Sequence, residues 1–492
     1  MKVRTVALLA ALGMTATSYS VWSFGPRPDG RGSATRAGAG SPGLELAVGD
    51  GGAAFRADGA LRVEGRLGHE RLASGRAAST FALVTVTADA RATERTAAPL
   101  ELAIVLDRSG SMRGAPLERA IAAARGAIDR LRDGDSVSLV TYAGEARVIA
   151  RSVAVDRWSR SRLLAELDRV QAEGETCISC ALDATLGVLR GGDARVSRVL
   201  LLSDGEATAG VRDVEGFRRI ARRFRERGVP ISSIGVDVEY DHLVLGALAL
   251  ESNGRHHFAE SAGELPAIFD RELGALVRSV AADAIVELEL APGVELVRVL
   301  DRAHELQGRR LRVPIGDLSA GEERTVLVEL RLPAAARARE PVARVDVSWV
   351  DLARERRDSA FGTLTARRDP GGDDAPLDPV VATRLERSET AAALRDANSL
   401  FAAGRTDDAR RRLAERQGAL AERRERIVAA SPAPDRARVR EDLERQEGSV
   451  GSASGGFARA EGAPGTPPSP AATKAGRAQV RRSAETAVDL AF

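Results

Sequence analysis

Four apolar runs constrain the fold of this chain more than any other feature: ELAIVL, SVSLVTY, RVLLLS and PISSIGV, at residues 101–106, 136–142, 198–203 and 230–236. Each is of strand length and apolar or small at both alternating positions, the pattern of a strand covered on its two faces. Amphipathic segments lie between them. Leu117, Ile121, Ala124, Ile128 and Leu131 recur at spacings of three and four and so share one helix face. Val214, Phe217, Ala221 and Phe224 do the same further on. The other side of that later helix carries Arg218, Arg219, Arg222, Arg223 and Arg225, which reads as a solvated face before it reads as a docking site for an acidic partner. Strands alternating with covering helices predict an α/β unit over residues 100–278, doubly wound, with a mostly parallel sheet flanked by helices.

The flanks read differently. Residues 44–99 contain LRVEGRL and FALVTVTA, and residues 284–366 contain AIVELEL, LVRVL, RTVLVELRL and ARVDVSWV, all with the two-residue alternation of half-buried strands. They predict two β-rich segments; whether these join into one β-sandwich interrupted by the α/β unit stays open. Residues 380–430 predict a helical hairpin broken at Gly404, where LFAAGRTDDARRRL resembles the turn and second helix of a tetratricopeptide-like hairpin. One such unit cannot bury its apolar face alone and must pack elsewhere. The Gly-, Ser-, Ala- and Pro-rich stretch 448–476 predicts a disordered tail, and 25–43 a flexible linker.

The first residues place Lys2 and Arg4 before an apolar run from Val6 to Met14, followed by small and hydroxylated residues, the layout of an export signal over 1–24. An uncleaved membrane anchor is the alternative, since no charge falls between Thr5 and Pro26 and Tyr19, Trp22 and Phe24 suit a membrane interface. No cysteine stands nearby for lipid attachment. Either reading puts the rest of the chain in the periplasm, the cell envelope or the extracellular space. The 72 basic and 70 acidic side chains leave a formal charge of +2, with no global field of the kind that gathers nucleic acid.

The chemistry concentrates where ELAIVL ends, in the run Asp107, Arg108, Ser109, Gly110, Ser111. At the carboxyl end of a central parallel strand this D-x-S-x-S turn lies in the crevice where open α/β sheets bind ligands. One carboxylate and two hydroxyls at alternate positions are hard oxygen donors, suited to Mg²⁺, Mn²⁺ or Ca²⁺. Taken alone, the motif reads first as a helix cap with serines at a turn. LAIVLDRSGSM, however, resembles the first metal-site segment of the von Willebrand factor type A family, whose metal-ion-dependent adhesion site is assembled from three loops. GETCISCALDAT and LLLSDGEAT are similar to the other two segments. The resemblance implies a metal site of Asp107, Ser109, Ser111, Thr176 and Asp204, Mg²⁺ as the foremost ion, and an acidic side chain of a protein partner completing its shell. It departs from the family pattern where Glu175 and Cys177 flank Thr176, in place of Gly and Asn; added negative charge there would lower the ion's appetite for an acidic ligand. The β-rich flanks resemble, more loosely, bacterial relatives of inter-α-trypsin inhibitor heavy chains.

Cys177 and Cys180, the two cysteines of the chain, form a C-x-x-C at the start of a helix. In an exported protein a short disulfide that stiffens the Thr176 loop is the first reading; free thiols and a redox-active or sensing dithiol are the others. His256 and His257 are adjacent, point to opposite faces of a strand and make no chelating pair. No phosphate-binding loop and no base beside the serines accompanies the metal motif, so a binding protein of the adhesion or assembly kind is expected and not an enzyme. Two other functions remain open: redox regulation through Cys177 and Cys180, and a non-catalytic subunit of an ATPase-linked or insertion complex.

Overall fold

The computed structural model describes residues 52–90, 99–190, 196–335, 337–370, 372–460 and 473–491. The export signal or anchor and the linker expected over 1–43 lie outside them. Strands β1 (Ala54–Ala57), β2 (Leu61–Leu67), β3 (Arg71–Ala73) and β4 (Ala78–Ala88) come first. The α/β unit follows: β5 (Leu100–Asp107), α1 (Ala115–Arg130), β6 (Ser136–Tyr142), β7 (Ala146–Ala154), α2 (Arg157–Leu167), α3 (Ile178–Leu186), β8 (Val196–Ser203), α4 (Val214–Glu226), β9 (Ile231–Val236), α5 (His242–Ser252), β10 (His256–Ala259) and α6 (Leu265–Val277).

These six strands form one sheet in the order β10-β9-β8-β5-β6-β7. All neighbours are parallel except the β6–β7 pair. Every residue of β5 and β8 is buried, because helices cover both faces. The two-residue period divides β5 cleanly. Leu102, Ile104 and Leu106 enter one core with Leu117, Ala124 and Ile128 of α1 and Phe269 and Leu273 of α6. Ala103 and Val105 enter the other with Leu182 of α3, Phe217 and Phe224 of α4 and Leu245 of α5. Each fully buried Leu, Ile or Phe of this kind contributes about 1.5–3 kcal/mol. The arginine face of α4 is mostly as expected, Arg218, Arg222 and Arg223 pairing with Glu215, Glu251 and Asp183. Arg225 is the exception: it is buried and donates to Glu251, so it belongs to the α4–α5 contact and not to a solvated face.

The chain then returns to β structure with β11 (Ser279–Leu290), β12 (Glu295–Leu300), β13 (Glu305–Gln307), β14 (Arg310–Ser319), β15 (Glu323–Leu332), β16 (Arg339–Asp351) and β17 (Arg356–Asp369). The two β-rich segments make one sandwich, with sheets β1-β2-β4-β15-β12 and β13-β14-β11-β16-β17-β3. β4 pairs antiparallel with β15 along its length, and β3 pairs parallel with β17. A shared core of Val84, Val86, Val286, Leu288, Val326, Val328, Val345 and Val347 lies between the sheets. The α/β unit is therefore inserted between β4 and β11 of a sandwich that closes around the insertion.

Four helices end the described chain: α7 (Pro379–Ala402), α8 (Thr406–Ala430), α9 (Ala433–Ala460) and α10 (Lys474–Ala491). The expected hairpin is present, with Gly404 at φ +76° in its turn, but it is half of a larger unit. That unit packs on the outward residues Leu83 and Leu327 of the first sandwich sheet. The expectation of disorder over 448–476 fails for 448–460 and from Lys474 onward. Val450, Ala453, Phe457 and Ala460 recur at helical spacing and are buried. Phe457 stacks on Phe401 with ring centroids 4.3 Å apart. The small residues permit a close helix–helix approach, for a Cβ on Gly456 would overlap the Gln479 amide of α10. Residues 461–472 lie outside the described chain. Among the described residues no helix is long and apolar enough to cross a membrane.

Candidate metal centre

β5 and β8 are neighbours in the sheet, and the chain leaves β5 toward β6 on the other side, so the loops after β5 and β8 diverge and open a crevice at their carboxyl ends. Asp107, the last residue of β5, is fully buried at the floor of that crevice. Its Oδ1 accepts from the backbone N–H of Ser109 at 2.8 Å, and its Oδ2 from the Ser203 hydroxyl at the end of β8, at 2.9 Å. Both carboxylate oxygens are thereby fixed. A single turn of 3₁₀ helix over Gly110–Met112 follows, with Met112 buried beneath it. This turn brings Ser111 back over Ser109: their hydroxyl oxygens stand 3.1 Å apart, and Ser111 Oγ donates to Asp204 Oδ1 at 2.8 Å.

Thr176 reaches the same place from the second loop. Its backbone N–H donates to Thr208 Oγ1 at 2.8 Å, and its carbonyl accepts from the N–H groups of Thr208 and Ala209. Gly110 N–H donates to the Gly174 carbonyl, joining the first loop to the second. Gly205 measures the convergence: a Cβ there would stand 3.7 Å from Ser111 Oγ and 3.9 Å from Thr176 Oγ1. The five residues named from sequence thus meet in one crevice. Ser203 and Thr208, which hold Asp107 and Thr176, were not singled out in advance, although both lie in the LLLSDGEAT segment.

Burial raises the carboxyl of Asp107 above its ordinary range against the opposing hydrogen bonds of Ser109 and Ser203. Burial likewise raises Asp204 to about 6; the Ser111 hydrogen bond opposes this and the charge of Asp107 adds to it. Two carboxylates and three hydroxyls, with Asp107, Ser109, Thr176 and Asp204 buried and Ser111 exposed at the mouth, are an oxygen donor set that fits a hard divalent cation. Among the described residues no three His, Cys, Asp or Glu side chains form a metal-ligating group, so the candidate rests on this mixed set.

Glu175 is exposed beside Thr176, and Glu173 pairs with Arg108 at the rim. Cys177 and Cys180 have their sulfurs 1.98 Å apart, with Cys177 capping the start of α3. The two histidines of β10 part company. His256 Nδ1 lies 2.9 Å from Ser233 Oγ, and His257 Nε2 lies 2.9 Å from Glu272 Oε1, so neither serves the crevice.

Residues 101–271 match the family model described as von Willebrand factor type A domain. The uncharacterized protein sll0103 of Synechocystis is 29% identical over 268 residues, covering 52% of this chain and 62% of that protein. Inter-alpha-trypsin inhibitor heavy chain H2 of Sus scrofa is 26% identical over 155 residues, covering 30% of this chain and 17% of its own length. The chain therefore spans less than two thirds of either relative. The solved von Willebrand factor type A structure from Catenulispora acidiphila superposes with a TM-score of 0.65 over 85% of this chain and 92% of its own, at 19% identity. That span exceeds the α/β unit, so the fold likeness extends into the segments around it. The α/β unit inserted in this chain is a von Willebrand factor type A domain.

Proposed function

We propose that this is an exported protein that binds another protein through a divalent cation held by Asp107, Ser109, Ser111, Thr176 and Asp204. The observation that carries the reading is the continuous contact from Asp107 through Ser109 and Ser111 to Asp204, with Thr176 closing the third side. Mg²⁺ is the foremost ion, with Mn²⁺ and Ca²⁺ next. When bound, the ion supplies an electrophilic centre for an Asp or Glu carboxylate of the partner. This chain's residues do the holding: Ser109 N–H and Ser203 Oγ keep Asp107 oriented, and Thr208 keeps Thr176 facing the crevice. Three of the five donors are neutral hydroxyls and the two carboxylates formally match a divalent charge, so the partner's carboxylate would serve to complete the ion's coordination shell.

Binding is favoured over catalysis because Ser109 and Ser111 bond to each other and to Asp204 and not to a histidine base. Export is supported by the N-terminal pattern of Lys2, Arg4 and the apolar run, and by a bonded cysteine pair. The test is affinity capture from the native cell envelope in Mg²⁺ or chelator, beside calorimetric Mg²⁺ titration of the purified chain. Wild type is expected to take up one Mg²⁺ and to retain its partner only in its presence, and Asp107→Ala to do neither while keeping its fold. Capture that is indifferent to the chelator would sink the reading.

A further inference from the structure

Loop two, carrying Thr176, and loop three, carrying Asp204, both rest on the Cys177–Cys180 pair. Cys177 follows Thr176 directly; its N–H donates to the Ala143 carbonyl at 2.7 Å, and its sulfur accepts from Cys180 N–H at 3.3 Å. Loop three lies on the same sulfur. A Cβ on Gly210 would stand 2.7 Å from Cys177 Sγ, and Gly210 has φ +70°, so this approach is open to glycine and to little else. Val211 N–H donates to Ser179 Oγ, inside the C-x-x-C, at 3.0 Å. The hydrogen bonds that orient Thr176 come from Thr208 and Ala209, just before Gly210. The support of Thr176 is therefore itself seated on the disulfide.

We infer that the Cys177–Cys180 disulfide positions Thr176 for the cation, and that its reduction by a dithiol lowers the affinity of the metal centre. The inference rests on the proposed reading of that centre. A bonded sulfur pair occupies less room than two separate ones, which need the roughly 3.5–4.0 Å of ordinary heavy-atom contact. Cys177 is buried against Gly210 and has nowhere to retreat, so the separation must be taken up by the Thr176 backbone or by the loop above it. Cys180 is only half-buried, giving a small dithiol its point of attack. In the exchange, a thiolate of the dithiol attacks one sulfur to form a mixed disulfide, and its second thiol displaces the protein. Two electrons and two protons end on Cys177 and Cys180, and the dithiol leaves as its own disulfide. The ligand set is unchanged; what changes is how well Thr176 is held.

The experiment is Mg²⁺ titration by calorimetry on the full chain, oxidised and after reduction with dithiothreitol, with far-UV circular dichroism to follow the fold. Reduction is expected to weaken Mg²⁺ binding about 10- to 100-fold, the usual effect of losing a group that orients a ligand, and reoxidation to restore it. The Cys177→Ser/Cys180→Ser variant should match the reduced chain. Reversible reduction of wild type carries the test without it if that variant does not fold. Thr176→Ala supplies the readout that a merely structural bond would not move: its weakened affinity should no longer depend on redox state, because the disulfide acts through the side chain removed. Equal affinity in the two redox states, or a redox effect that persists in Thr176→Ala, overturns the inference and leaves the metal centre standing. Absence of Mg²⁺ uptake by the oxidised chain overturns both.

Discussion

Replacing Asp107 by Asn tests the metal centre through stability, without knowledge of the partner. Asp107 is fully buried and holds its charge against desolvation with two hydrogen bonds, from Ser109 N–H and Ser203 Oγ. Burying a carboxylate costs several kcal/mol. Two hydrogen bonds to a charged group return about 1.5–3 kcal/mol each. In the absence of cation these nearly cancel, and asparagine, of the same shape and accepting from the same N–H, should unfold within about 1 kcal/mol of wild type. Mg²⁺ separates the two. At a concentration 100 times its Kd it stabilises wild type by about 2.7 kcal/mol, whereas a variant binding 100-fold more weakly gains only about 0.4 kcal/mol. For a unit the size of the von Willebrand factor type A domain, the wild-type gain corresponds to a rise in Tm of roughly 5–11 °C. Differential scanning calorimetry in chelator and across a Mg²⁺ series should show wild-type Tm climbing and Asp107→Asn nearly flat. If both climb together, or neither moves, Asp107 does not hold a cation and the reasoning fails.

Phe457→Ala removes a fully buried ring stacked on Phe401 and should cost about 3–5 kcal/mol, read as lost hydrogen-exchange protection in α9 and α10; unchanged protection would mean that α9 is not packed there. At His257 burial opposes the imidazolium, but hydrogen bonds to Glu272 and Glu485 prevail and raise it to about 9. A pKa raised on folding stabilises at low pH, so about 3 kcal/mol is present below pH 6.5 and lost as pH rises through about 9. Denaturant titrations at pH 6, 8 and 10 should show this loss in wild type and a shallower one in His257→Gln; equal slopes would refute it. Gly254→Ala should destabilise the β9–α5 contact by more than 2 kcal/mol, since its Cβ would overlap the Ile231 carbonyl, and a variant with wild-type Tm would contradict that packing.

The α/β unit was legible because β5, β6, β8 and β9 are buried along their whole length on both faces, so a short apolar run marks each of them without reference to any partner. Asp107 and Asp204 follow the ends of the neighbouring strands β5 and β8, so their meeting could be read from strand order, whereas Thr176, between α2 and α3, was named through the resemblance of its segment to the family. Sandwich closure was not, because β4 and β15 carry the same alternation as any half-buried strand and nothing in either names the other. The error over 448–460 has a definite cause. Gly and Ser lower helix propensity in an isolated segment, but here they let α9 approach α10 closely, and tertiary contact overrides the propensity. Arg225 was misplaced by a similar route: its position on the α4 face suggested solvent, while Glu251 of α5 receives it in the interior. Ser203 and Thr208 stood in a recognised segment yet carry no ligand role of their own, and supporting hydrogen bonds are visible only in three dimensions.

The insertion has a geometric consequence for the candidate site. In a parallel sheet with returning helices, β5 begins and α6 ends at the amino edge of the strands. Both connections to the sandwich leave from there, and the contacts agree: Asn253 Nδ2 donates to the Pro314 carbonyl, and Arg255 pairs with Glu322, both at the approach to β10. Asp107 and Asp204 sit at the opposite, carboxyl edge, so the sandwich carries the candidate crevice facing away from itself. The helical unit reaches toward that edge. Lys474 and Arg477 of α10 pair with Asp237 and Glu239 in the loop after β9, and Arg481 donates to the Val238 carbonyl and lies over the Tyr240 ring. The first two pairs are largely exposed and contribute at most about 1 kcal/mol each. The firmer hold is Arg481, which is buried and whose hydrogen bond ends on backbone. A domain tied at its base by covalent connections and at its flank by one helix is fixed in orientation while its carboxyl edge stays open, which is the arrangement that a cation-bridged contact with another protein requires.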